Sequence, residues 1–155
     1  MNFVTHSHAG GLEVVPLSHQ QEIATAINAM TQPIQARAAR TLRAQFLHSL
    51  VESGWSGEVA VQASLSDISI TSVKQNTGLC LQTGNMSRFY ADLLKLQAMY
   101  LDNTILCGAF VLPSRDVAVV LGDNVAQADR LIRELSLFRK VITLPLVVYT
   151  LISIA

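Results

Sequence analysis

The apolar positions Ile23, Ala26, Ile27 and Met30 recur at the i, i+3, i+4, i+7 spacing of a single helix face. Ser18, with Gln21 three residues on, forms a capping box, so a helix is predicted to start there. Pro33 suits the first turn of a second helix over about 34–53, which Gly54 closes and which carries Arg37, Arg40 and Arg43 three apart on its polar side. Strands are predicted over 58–63, 68–74 and 77–83, the last two joined through Gln75-Asn76 as a hairpin. A helix over about 87–101 turns Phe89, Leu93, Leu96 and Tyr100 inward. The near-continuous apolar run 105–112 reads as a strand buried on both faces. Another helix, over about 125–140, presents Ala128, Leu131, Ile132, Leu135 and Phe138 to a core and ends in the dipole-complementing Arg139 and Lys140. Residues 142–152 form the final strand.

The predicted order α-α-β-β-β-α-β-α-β is that of an α/β protein, with a mixed central sheet flanked by helices. Residues 1–17 lack this patterning and are expected to form a flexible N-terminal arm, leaving 18–155 as a single domain. No repeat or low-complexity segment interrupts it.

Composition adds two constraints. Apolar residues make up 50% of the 155 positions, enough for a packed core and incompatible with disorder. Charged residues make up only 14%, against about 25% in an ordinary soluble domain, which points to a surface covered by another subunit. Eleven Lys and Arg balance eleven Asp and Glu, so any contact with nucleic acid must come from a local cluster. The start of the chain has no cationic segment followed by an apolar one, and the apolar run 141–155 is shorter than the roughly 20 residues of a membrane span. A cytoplasmic protein without a membrane partner is the expectation, with Cys80 and Cys107 as buried free thiols. His6 and His8 form an H-x-H pair, but no companion ligands accompany it, so no metal site is expected there.

The chain lacks G-x-S-x-G, Walker A and G-x-G-x-x-G signatures and zinc-spaced Cys or His pairs. The informative stretch is 70–85 followed by 88–95. Val73-Lys74, Gly78-Leu79, Gln82, Gly84-Asn85, Phe89, Asp92 and Lys95 fall there in a pattern that resembles the BglII-like branch of the PD-(D/E)XK restriction endonucleases. The likeness continues more weakly through 105–113, the following helix and the last strand, about two thirds of the chain in all.

The resemblance implies a restriction-endonuclease-like, PD-(D/E)XK fold for 18–155, and an active centre in which two carboxylates hold Mg²⁺ beside a water-orienting Gln. On this sequence the family's Asp falls on Thr71 and its Glu on Cys80, while the Gln is kept as Gln82. No Asp or Glu stands between Asp67 and Asp92, and Thr, Cys and Gln lack the anionic oxygen that a hard cation requires. Thr71, Cys80 and Gln82 are therefore expected to be the remnant of a catalytic motif, with Glu22 as a remote accessory ligand and no metal bound. Cys80 has no histidine near it in sequence to activate it as a nucleophile. The resemblance further implies dimer formation and contact with duplex DNA. Arg37, Arg40, Arg43, Lys74, Asn85, Arg88 and Lys95 are the candidate DNA-contacting residues, although Arg88, Asp92 and Lys95 also fit a surface ion-pair row.

Three expectations follow: a degenerate nuclease that binds DNA or serves as the subunit or modulator of a nuclease, a homo-oligomer or a heterodimer with a related enzyme; a purely protein-interacting module; or an active Mg²⁺-dependent endonuclease using ligands such as Glu22 and Asp67.

Overall fold

The computed structural model of the chain describes residues 1–62, 64–65 and 67–153. Along the chain these form β1 (Asn2–His8), α1 (Gly11–Val14), α2 (Leu17–Asn28), α3 (Ala39–Glu52), β2 (Val59–Ala60), β3 (Ser69–Ile70) and β4 (Ser72–Lys74). Then come β5 (Thr77–Leu81), α4 (Arg88–Leu101), β6 (Cys107–Pro113), α5 (Arg115–Leu121), α6 (Ala128–Leu137) and β7 (Leu146–Ile152).

Five strands make one sheet in the order β1-β7-β6-β5-β4, and β2 pairs with β3 as a separate ribbon. The central strands β5, β6 and β7 run parallel, whereas β1 and β4 lie antiparallel at the edges. Strand periodicity sends alternate side chains to opposite faces. Ala109 and Val111 of β6, with Val147, Tyr149 and Leu151 of β7, pack under α2, α3 and α5. Phe110 and Leu112 of β6, with Leu146 and Val148 of β7, pack under α4 and α6. All seven residues of β6 are buried, as the apolar run predicts. Removing a side chain such as Phe110 wholly from water contributes about 2–3 kcal/mol.

The mixed sheet with helices on both faces is the predicted α/β architecture, but several details differ. Residues 2–8 are not a loose arm: β1 pairs with β7 over seven positions, from Asn2 opposite Ile152 to His8 opposite Leu146. The backbone edge of β7 needs hydrogen-bond partners, and Phe3 stacks at a tilt on Tyr149, with ring centroids 5.5 Å apart. The polar Thr5, His6, Ser7 and His8 conceal this strand from a hydrophobic-pattern reading, because one side of β1 meets solvent.

Helix α2 begins at Leu17 with Pro16 at its N-cap, and no side chain caps it, so the Ser18–Gln21 box is not used. The second helix starts at Ala39 rather than near 34, and Arg37 takes a left-handed φ of 67°, off the helix that carries Arg40 and Arg43. The predicted strand 68–74 is broken at Thr71 into β3 and β4, and the strand over 58–63 is reduced to β2, with Ala63 outside the described residues. The Gln75-Asn76 hairpin is present, Lys74 facing Thr77 across it. A short helix not anticipated, α5, is capped at its N-terminus by Ser114, whose hydroxyl accepts from the Val117 N–H at 3.3 Å. The helix expected over 125–140 is confined to α6. No described helix is long and apolar enough to cross a membrane.

Gly11 opens α1 directly over β7, and a Cβ there would collide with the backbone of Leu146. Gly11→Ala is expected to cost at least about 1–3 kcal/mol through overpacking, read as a lower urea midpoint. An unchanged midpoint would mean that 1–17 is a dispensable arm after all.

Candidate functional site

Where β5 ends, the chain must leave the sheet between two helical layers: α3 on one face and α4 on the other. In open α/β sheets this crevice beyond the carboxyl ends of the strands is the usual ligand site. Here it is a cleft of about 690 Å³. Helix α3 lines it with Arg40 and Arg43, and α4 with Arg88, Asp92 and Lys95. Thr71 and residues 81–84 form its floor, and Glu58 and Ser69 of the ribbon region form its rim. Four cations meet two carboxylates across it, leaving two positive charges uncompensated in a chain of zero net charge.

The floor is tied together by side chains. Asp92, only 7% exposed, accepts from Gln82 Nε2 at 2.7 Å and from Lys95 Nζ at 3.0 Å. Gln82 Oε1 accepts in turn from the Gly84 N–H at 3.0 Å, so both ends of this amide are engaged. Thr71 stands at the break between β3 and β4, where its Oγ1 accepts from the Leu81 N–H at 3.0 Å. Arg43 donates through Nη1 to the Leu81 carbonyl at 2.9 Å, fixing α3 to the end of β5. Glu58 accepts from the Ser69 hydroxyl. The Arg40 and Arg88 side chains are exposed and make no hydrogen bond or ion pair with the described residues.

The sequence-derived candidates divide on this geometry. Thr71, Gln82, Arg40, Arg43, Arg88 and Lys95 converge on the cleft. Cys80 does not line it: one residue before Leu81, it turns into the core beneath α4 and is 1% exposed. Burial pushes its thiol far above the ordinary cysteine range, and the nearby Asp92 charge adds to the effect, so it is no nucleophile.

Glu22 and Lys74 pair with each other at 2.7 Å, away from the cleft. Lys74 also donates to the Ser53 carbonyl at 2.7 Å, and Trp55 Nε1 donates to Glu22 at 2.8 Å, which ties α2, the end of α3 and the hairpin together. Burial alone would raise the Glu22 carboxyl, but these bonds from Lys74 and Trp55 outweigh it and hold the pKa below the usual value. Asn85 Oδ1 accepts from Ser87 N at 2.9 Å and Ser87 Oγ at 2.8 Å at the approach to α4. Arg37 lies outside the cleft lining.

The residues at the cleft do not fit a divalent ion. Thr71 Oγ1 and both ends of the Gln82 amide are engaged, Cys80 is sealed in the core, and Asp92 is already paired with an ammonium. Among the described residues no three His, Cys, Asp or Glu side chains gather as a metal site. His8 of the H-x-H pair instead meets the Ile142 carbonyl at 2.6 Å. Helical spacing suggests Arg88, Asp92 and Lys95 as an exposed row; only Lys95 pairs, and Asp92 is buried because Gln82 reaches it. That contact between a strand end and a helix has no local signature, and neither do the positions of Glu58 and Ser69.

No curated protein sequence matches the chain. A crystal structure of restriction endonuclease BglII complexed with a DNA 16-mer has a similar fold, with a TM-score of 0.84 at 13% identity, covering 99% of this chain and 78% of that one. Free BglII gives a TM-score of 0.76 at 10% identity, covering 99% of this chain and 81% of that one. At these identities the likeness establishes the fold. The family model described as "Restriction endonuclease BglII/BglIII" matches residues 3–151, so almost the whole of the described sheet and its helices lies within the match. The chain belongs to the BglII/BglIII restriction endonuclease family.

Proposed function

We propose that this member of the family is a pseudonuclease: it binds DNA phosphates in the cleft between α3 and α4 and has lost the metal-dependent cleavage step. One observation carries the reading. Arg40, Arg43, Arg88 and Lys95 converge on a cleft whose floor has Thr71 and Gln82 but no pair of carboxylates open to a metal. Phosphate contacts supply most of the sequence-independent affinity for DNA, because cationic side chains release condensed counterions. Fixed cations keep that contribution when the metal is gone. Hydrolysis needs more, since a divalent ion lowers the pKa of the attacking water and offsets charge in the transition state. A related fold captured on a DNA 16-mer makes duplex DNA the natural first ligand to test.

Within this reading Arg40 and Arg88 contact phosphate directly, Arg43 does so while anchoring α3, and Lys95 is presented from the floor by Asp92. Lys74 and Asn85 support the structure around the site. An active enzyme using Glu22 as an unconventional ligand is disfavoured by the bonds that Lys74 and Trp55 make to that carboxylate.

A second copy or a related active nuclease as partner is supported by a separate feature. An apolar groove of about 190 Å³ runs between α4 and the segment after α6, lined by Leu93, Leu94, Phe138 and Val141 among others. Leu94 and Val141 of its lining are each 60% exposed, which suits a surface that pairs.

Fluorescence anisotropy of labelled duplex DNA in EDTA, followed across a salt series, tests the binding. Affinity is expected to fall steeply with salt, and Arg40→Gln to reduce the slope of log K against log salt by about one. Supercoiled plasmid incubated with the protein and Mg²⁺ is expected to stay intact. No binding at low salt would remove the DNA reading, and nicking of the plasmid would restore an active enzyme.

A further inference from the structure

We infer that His19 is a proton-sensitive latch: with a neutral ring it ties α2 to the β4–β5 hairpin, and on taking up a proton it lets the helix go. The latch lies at the start of β5, whereas the cleft lies at its end, so it operates whatever the cleft binds. His19 is 2% exposed, and its Nδ1 lies 2.8 Å from the Thr77 hydroxyl, where the hairpin returns as β5. Thr77 Oγ1 lies in turn 3.4 Å from Cys107 Sγ at the start of β6. The imidazole also meets the Trp55 indole edge-on, with ring centroids 5.4 Å apart. Gln75 in the turn itself has a left-handed φ of 51°, a conformation that persists only where neighbours fix it. One ring thus joins α2, the hairpin and the loop after α3.

A neutral imidazole suits this place and a cation does not. The described groups that face it with charge are Glu22 from α2 and Lys74 from β4, and these are already paired with each other at 2.7 Å. Thr77 on β5 and Trp55 after α3 bring no charge, and burial pushes the Cys107 thiol up, so it stays protonated. His19 stands in the first turn of α2, where the helix dipole disfavours a cation and no acidic residue compensates. In the cation Nδ1 becomes a donor, so Thr77 must accept from it. The described partner left for the Thr77 proton is then the weakly accepting Cys107 sulfur.

Burial, the largest influence, pushes the imidazole pKa down. Glu22 opposes this, Lys74 adds to it and the Gln75 side chain opposes it, with a net lowering. A histidine that protonates less readily folded than unfolded contributes stability at neutral pH that is lost as the pH falls below its ordinary value. The loss falls on the contact between α2 and the hairpin, because the ring's bonds lie there.

Hydrogen exchange of the native ¹⁵N-labelled protein between about pH 7.5 and about pH 5.5, the window in which a histidine changes charge, tests the latch. After correction for the intrinsic rate, the α2 amides of Ile23, Ala26 and Ile27 are expected to open severalfold more often at the acid end. Ala109 and Phe110 of β6 are expected to keep their protection. The acceleration is expected to level off where the His19 ring itself titrates, below the ordinary histidine range, as followed by imidazole NMR. His19→Asn keeps a polar group near Thr77 without one that titrates, and is expected to abolish the acid response. His6→Gln removes another histidine whose pKa is lowered, by burial and by His8, and is expected to leave the response intact. Although burial opposes it, the bonds from Lys74 and Trp55 keep Glu22 ionised throughout this window.

Unchanged α2 protection in the native protein, His19 titrating in or above the ordinary range, or an acid response that survives in His19→Asn would each overturn the latch. So would an equal loss of protection in α2 and β6, since acid would then loosen the whole fold. If His19→Asn does not fold, the native protein decides alone. A plateau that coincides with the His19 titration supports the latch, and one that departs from it overturns the latch.

Discussion

Strands β5, β6 and β7 run parallel and are buried on both faces, a condition that an all-parallel core meets only when helices cover each side. The crossover from β5 through α4 to β6 covers one face, and α2, α3 and α5 cover the other. Two helical layers diverge where β5 ends, and the crevice between them is the cleft. The location of the site thus follows from sheet burial, whereas its chemistry follows from which side chains sit at five or six positions on α3, α4 and the end of β5.

Those side chains give the cleft a positive balance and a floor without open carboxylates. A site that holds a divalent ion concentrates negative charge to attract it; here the buried Asp92 is compensated within the protein by Lys95 and Gln82. Thr71 and Cys80 are both uncharged, and each has a local role. Thr71 contributes a hydroxyl that accepts from the Leu81 N–H, and Cys80 contributes a side chain that fits the apolar core under α4, where an unpaired carboxylate would be costly. Each is satisfied where it stands.

Much of the fold is legible in the sequence because its strongest signals are local. The continuous apolar run of β6, the Gln75-Asn76 turn and the 3.6-residue spacing of Phe89, Leu93 and Leu96 each mark an element by themselves. What escapes has a tertiary cause. Strand β1 reads as polar because it is an edge strand whose partner, β7, lies at the far end of the chain. Arg37 fits a helical row by spacing, yet the chain turns through a left-handed φ there before α3 begins. At the site, the expectation that Thr71 and Cys80 stand where the family has acidic residues rests on the family resemblance alone. The pairing of Asp92 with Gln82 joins a strand end to a helix ten residues on, which no periodicity reveals.

The central claim is that this cleft does not hold a divalent ion, and paramagnetic Mn²⁺ tests it most directly. Titrated into ¹⁵N-labelled protein without DNA, Mn²⁺ broadens amide signals near any site it occupies. The signals of Gln82, Gly84, Asp92 and Lys95 are expected to stay sharp at stoichiometric Mn²⁺. Selective loss of those signals would place a metal in the cleft and contradict the account.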